Sequence, residues 1–181
     1  MIYWFTGQPA HGKTVLANML KEKLPNAFRI DGDEMRELFT NKDYTINGRV
    51  VNVGTAQKIA HYLNNQGHDV IVSLVAPYVD QREDFKRLMG DQMIEIYVHT
   101  TDPRERDHFK AIAYVPPTTE YVDIDTTHDT EEESFKKVID GLLSLGSPDL
   151  ESKPFDRKGF NLYPKGSLLN ELPPDDYQLD N

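Results

Sequence analysis

Near the start of the chain, Gly7-Gln8-Pro9-Ala10-His11-Gly12-Lys13-Thr14 fits the pattern GxxxxGK[ST]. Glycines at its two ends let successive backbone N–H groups turn toward phosphate oxygens. The lysine reaches the outer phosphates of a nucleoside triphosphate, and the threonine offers a hydroxyl to Mg²⁺. His11 reads as an exposed, variable position of this loop. A pair of carboxylates follows in Asp31-Gly32-Asp33. Moving a phosphoryl group onto an alcohol needs one group to orient or deprotonate the hydroxyl and another to help hold the metal, and a carboxylate serves either role. With Lys13, both aspartates are therefore assigned to catalysis: Asp31 to the acceptor hydroxyl, Asp33 to Mg²⁺ beside Thr14. They are expected to stay solvated in a cleft, with the intervening glycine admitting a ligand closely. The competing reading is that one of them caps the next helix by accepting from its first amides.

The elements around these motifs are those the chemistry requires. Met1 to Thr6 is a short apolar run and so reads as a strand entering the glycine loop. Thr14 to Leu24 has helical spacing at Val15, Leu16, Met19 and Leu20, and Ala27 to Ile30 is a second strand delivering the aspartates. Helices are expected over 33–39, 48–66 (closed by Gly67), 81–89 and 130–143, with strands over 69–75 and 93–99 and an edge strand over 121–124. Alternating strands and helices imply an α/β fold: a mostly parallel, doubly wound sheet with helices on both faces and the ligand at the carboxyl ends of the strands. From Gly146 the periodicity stops. The expected division is a kinase domain over 1–145 and an irregular, acidic, proline-containing tail over 146–181, whose aromatics favour wrapping onto the domain.

In its ordered motifs the sequence resembles the adenylylsulfate kinases, P-loop enzymes that phosphorylate the ribose 3′-hydroxyl of adenosine 5′-phosphosulfate. Arg36 follows the Asp31-Gly32-Asp33 motif as in that family. Tyr44, Arg49 and Asn52 match an aromatic, an arginine and an asparagine of its acceptor site, and Val72-Ser73-Leu74-Val75-Ala76-Pro77-Tyr78 with Gln81-Arg82-Glu83 matches a further segment. The resemblance implies that Asp33, Arg36, Tyr44, Arg49, Asn52 and Ser73 bind the acceptor: the arginines its anionic group, the tyrosine its base or sugar, the serine the floor. It also implies that Arg106, in the matching Thr101 to Asp107 element, covers the donor nucleotide held by residues 7–14. Read singly, Arg36 and Arg82 could be surface arginines, Tyr44 a loop aromatic and Asn52 a helix-surface amide. The chain departs from the family between these blocks. Where the family carries a longer lid with basic residues and an aromatic that stacks on adenine, only 108–115 stand here, with Lys110 and Tyr114 as candidates to deputise.

The implied activity is an ATP- and Mg²⁺-dependent kinase on a hydroxyl of a small nucleotide-like acceptor, first of all adenylylsulfate. The alternatives are a kinase of the same scaffold with another nucleoside or modified-base acceptor, and a nucleotide-binding protein without turnover. Composition narrows the partners. The chain has 181 residues, 38% hydrophobic and 28% charged, which suits one globular domain. Thirty acidic against 20 basic residues give a net charge of −10, which repels nucleic-acid phosphates. No cysteine is present, which excludes thiol chemistry, disulfides and thiolate metal sites. The expected partners are small nucleotides, with a homodimer allowed; no membrane-spanning run is visible, and the cytoplasm is the expected compartment.

Overall fold

The computed structural model describes residues 1–103 and 110–147. In chain order the elements are β1 (Ile2–Thr6), α1 (Lys13–Lys23), β2 (Phe28–Asp31), α2 (Gly32–Leu38), α3 (Ile46–Asn65), β3 (Val70–Ser73), α4 (Val79–Met89), a 3-10 turn (Gly90–Gln92), β4 (Met93–His99), β5 (Tyr121–Asp125) and α5 (Glu131–Ser144). All strand pairings are parallel, in the order β2-β3-β1-β4-β5. That is the doubly wound sheet expected from the alternation.

The central strand shows why its sequence is apolar throughout. Every residue of β1 is buried, because a parallel sheet is covered on both faces. Tyr3 and Phe5 join Leu16 and Leu20 of α1 and Phe135, Val138 and Leu142 of α5 in one core. Ile2 and Trp4 point to the other, formed with Val53, Ala56 and Ala60 of α3 and Phe85 and Met89 of α4. Trp4 and Phe85 meet with tilted rings 5.4 Å apart.

Helix ends follow local chemistry. α5 starts with a capping box in which Thr130 accepts from the Glu133 N–H while the Glu133 carboxylate accepts from the Thr130 N–H. It ends at Gly146 (φ 71°), where the Gly146 and Ser147 amides donate to the Leu143 and Leu142 carbonyls, a Schellman closure. Ser147 is buried and its hydroxyl lies 2.9 Å from the Tyr3 hydroxyl of β1. The first two residues of the expected tail therefore finish α5 against the core; the rest of the tail, from 148, lies outside the described residues. Among the described residues no helix is long and apolar enough to cross a membrane.

Candidate active site

The loop after β1 is shaped by two close approaches. Gly7 sits at φ 145°, and a Cβ there would lie 2.0 Å from the Val98 carbonyl oxygen of β4, so only glycine fits beneath the loop. Gly12 (φ 99°) begins α1 with no side-chain cap, leaving first-turn amides directed at whatever the loop encloses. Ala10 also takes a positive φ, 63°, the kind of strained backbone found at binding sites. Lys13 is buried at 7% exposure and its ammonium donates to the Gln8 carbonyl at 2.7 Å. His11 departs from expectation: it is buried, not exposed. The turn after β5 packs on this part of the loop, with the Thr126 hydroxyl donating to the His11 and His99 carbonyls at 3.3 and 3.1 Å, and sequence order hides that contact.

Asp31 ends β2 in register with Ser73 of β3, and the pairing explains its surroundings. Its Oδ2 accepts from the Ser73 hydroxyl (2.9 Å), the Thr14 hydroxyl (3.1 Å) and the Arg29 guanidinium (3.0 Å), while Oδ1 accepts from the Asp33 amide (3.0 Å). Asp31 is thus both the N-cap of α2 and the partner of Thr14, and at 8% exposure it is not solvated. Asp33, in the first turn of α2, is the exposed carboxylate of the pair. Gly32 lines the cleft between the two aspartates, and because a Cβ there would meet the Leu74 side chain at 2.7 Å, its lack of a side chain also serves the packing of α2 on the end of β3.

One cleft is lined by Lys13, Thr14, Asp31, Asp33, Arg36, Tyr44, Arg49, Asn52 and Ser73, together with Pro9, Ala10, Ala76 and Pro77. At its far end the Arg36 guanidinium lies 4.2 Å from the Tyr44 ring centroid and that of Arg49 5.8 Å. Arg36 donates to the Asp43 and Asn41 carbonyls (2.7 and 3.2 Å) and Arg49 to the Tyr44 carbonyl (3.0 Å). Neither arginine is an ordinary surface residue. Burial, with Arg49 adding its repulsion, draws Arg36 below its ordinary pKa, yet a guanidinium remains charged. Two cations set side by side around one ring form a local positive end in an acidic protein, suited to an anion. Asn52 is buried on α3 and donates to the Gly32 carbonyl at 3.2 Å.

Arg106 lies outside the described residues. Of the residues expected to deputise for a lid aromatic, Tyr114 does something else. Its hydroxyl is 3.1 Å from the Thr6 hydroxyl, its ring stacks 6.0 Å from Tyr97 with Arg82 5.3 Å away, and burial pushes its phenol well above the ordinary value. It does not line the cleft. Sequence reasoning missed Thr6, Arg29 and the role of Arg82. Arg82 is fully buried, pairs with Glu95 at 2.7 Å and donates to the carbonyls of Ala76 (2.5 Å) and Val115 (2.6 Å). Only the oddity of a glutamate inside the apolar run of β4 hinted at that ion pair.

A model of the adenylylsulphate kinase family matches residues 1–112. An adenylyl-sulfate kinase of Picosynechococcus sp. is 30% identical over 79% of this chain and 93% of its own length. A cytidine diphosphoramidate kinase of Campylobacter jejuni is 35% identical over 54% of this chain and 59% of its own. The structure of the Mycobacterium tuberculosis APS kinase CysC in complex with AMPPNP and APS superposes with a TM-score of 0.66, covering 78% of this chain and 96% of that one at 24% identity.

Proposed function

This chain belongs to the adenylylsulphate kinase family, and from that premise we propose that it transfers the γ-phosphoryl group of ATP to the ribose 3′-hydroxyl of adenosine 5′-phosphosulfate. The observation that carries the reading is the single cleft that runs from Lys13 and Thr14, past two aspartates, to paired arginines around Tyr44. Donor and acceptor machinery share one continuous wall.

In the proposed mechanism, residues 7–14 hold the triphosphate, and Lys13 leaves the Gln8 carbonyl for the outer phosphates. Arg36 and Arg49 hold the acceptor's phosphosulfate, with Asn52 and Ser73 lining the floor. The 3′-oxygen attacks the γ-phosphorus in line as the bond from that phosphorus to the β–γ bridging oxygen breaks, so ADP leaves. The hydroxyl proton passes to Asp33, the exposed carboxylate. This reverses the roles that the sequence suggested, because three donors already occupy one oxygen of Asp31. The residues fit Mg²⁺ in the manner of P-loop enzymes, where few protein ligands are needed beside phosphates. The Thr14 hydroxyl, held by Asp31, would ligate it directly, with Asp31 behind it. The metal supplies charge neutralisation at the phosphates. The compartment proposed with it is the cytoplasm, where ATP is available.

The alternative acceptor to test beside it is cytidine diphosphoramidate, after which the Campylobacter kinase, 35% identical over 54% of this chain, is named. Incubating the protein with ATP, Mg²⁺ and each acceptor separately, and following the phosphorylated product by ³¹P NMR, decides between them. Adenylylsulfate is expected to yield a 3′-phosphate. Turnover of the cytidine compound with none of adenylylsulfate at millimolar concentration would overturn the assignment.

A further inference from the structure

The Gln8 side chain does not face the cleft-lining set. Both ends of its amide are engaged by one residue elsewhere in the chain: Nε2 donates to the Ala111 carbonyl at 3.0 Å, and Oε1 accepts from the Ala111 amide at 2.9 Å. A primary amide presents a donor and an acceptor side by side, matching the N–H and C=O of a single residue; a carboxylate would keep only one of these bonds. The main chain of Gln8 meanwhile accepts from Lys13 at 2.7 Å. One residue thus links the phosphate-reaching lysine to the segment 111–115.

That segment is fastened at its other end to the acceptor side. The Val115 amide donates to the Pro77 carbonyl at 3.0 Å, and the Val115 carbonyl accepts from Arg82 (2.6 Å), which also holds the Ala76 carbonyl. Ala76 and Pro77 line the cleft, and Ala76 takes a positive φ of 42°. Between the two ends, Tyr114 is tied to Thr6. Segment 111–115 is therefore a strut: one foot on the donor loop, the other on the wall where the acceptor is proposed to lie. Phosphoryl transfer depends on alignment of the two oxygens about phosphorus, and small misplacements are expensive.

We propose that the Gln8 side chain is a positioning residue for phosphoryl transfer, clamping the strut 111–115 to the phosphate-binding loop so that donor and acceptor walls keep a fixed separation. The inference rests on the kinase reading above, but part of its test does not. In the full chain, Gln8→Met keeps the side chain's length and removes both hydrogen bonds. Hydrogen–deuterium exchange, with and without a non-hydrolysable ATP analogue, should show faster exchange over 110–116 in the variant and unchanged exchange in β1 and α1. With adenylylsulfate as acceptor, kcat should fall by about tenfold while the KM for ATP stays within about threefold, the signature of lost alignment rather than lost donor binding. Gln8→Glu, which keeps the bond from the Ala111 amide and loses the other, should also exchange faster there and serves if the methionine variant does not fold. Unchanged exchange over 110–116, a kcat within twofold of the parent, or a KM for ATP that rises by the factor kcat falls would each overturn the proposal. A parent enzyme inactive on every acceptor would instead sink the kinase reading and leave the exchange result to judge the strut.

Discussion

Lys13 and the two aspartates make different demands on the molecule, and substitution separates them. Lys13 donates to a loop carbonyl and caps no helix, so Lys13→Ala should remain folded while losing about 10²–10³ in kcat, as removal of one charge-stabilising donor does. Asp33 is exposed, and Asp33→Asn should cut kcat with little change in the thermal midpoint. Asp31→Asn, in contrast, disturbs a carboxylate that holds Thr14, Ser73, Arg29 and the α2 cap together. The asparagine keeps the cap but turns an NH2 toward the Ser73, Thr14 and Arg29 donors, so it should lower both turnover and stability, the latter by about 1–3 kcal/mol, as for buried donors left without an acceptor. Urea titration beside steady-state kinetics checks all three; equal stability loss in Asp33→Asn and Asp31→Asn would contradict these roles. The glycine loop and the Asp31-Gly32-Asp33 motif were legible because their chemistry is local. The engagement of Asp31 was not, because Ser73 meets it only through the β2–β3 register.

Among the elements, α5 has the most explicit start signal, and its stability depends on pH. The Thr130 amide and hydroxyl hold the Glu133 carboxyl below its ordinary value. A depressed folded-state value means that the contribution is complete above the unfolded value, near 4.3, and is lost as pH falls through the lower folded one. Thr130→Val should therefore lower the thermal midpoint at neutral pH by about 2–4 °C. That difference should narrow in scans below about pH 4; a constant gap down to pH 2 would rule the linkage out. Helices and strands were readable to within a few residues because periodicity and caps are written in neighbouring positions. α2 begins at Gly32 and not Asp33, since Asp31 itself supplies the cap. The strut 111–115 was not readable: Gln8, Thr6 and Arg82, which hold it, lie far from it in sequence.

At the scale of the whole molecule, one buried cation ties three parts together. Arg82 joins α4 to Glu95 of β4, to the backbone after β3 and to Val115, and Lys86 approaches the second Glu95 oxygen at 2.6 Å. Removing Arg82 leaves the buried Glu95 carboxylate with Lys86 as its remaining cation, so Arg82→Met should cost about 3 kcal/mol in urea unfolding, with Glu95→Gln recovering part of it in the double variant. No such recovery would mean that the lost carbonyl contacts, and not the carboxylate charge, set the cost. The sheet order has a consequence in time. β1 is made first, but its neighbours come late: Ile2 pairs with Val70 and with Met93. A strand that waits for partners this distant closes slowly, and Gly7 finds its seat on Val98 only once β4 exists. During synthesis, β1 is made before both strands it pairs with and is thus among the last to acquire its shape. Ribosome-bound chains arrested with β4 still in the exit tunnel should fail to retain a fluorescent ATP analogue, and chains arrested with α5 fully emerged should hold it.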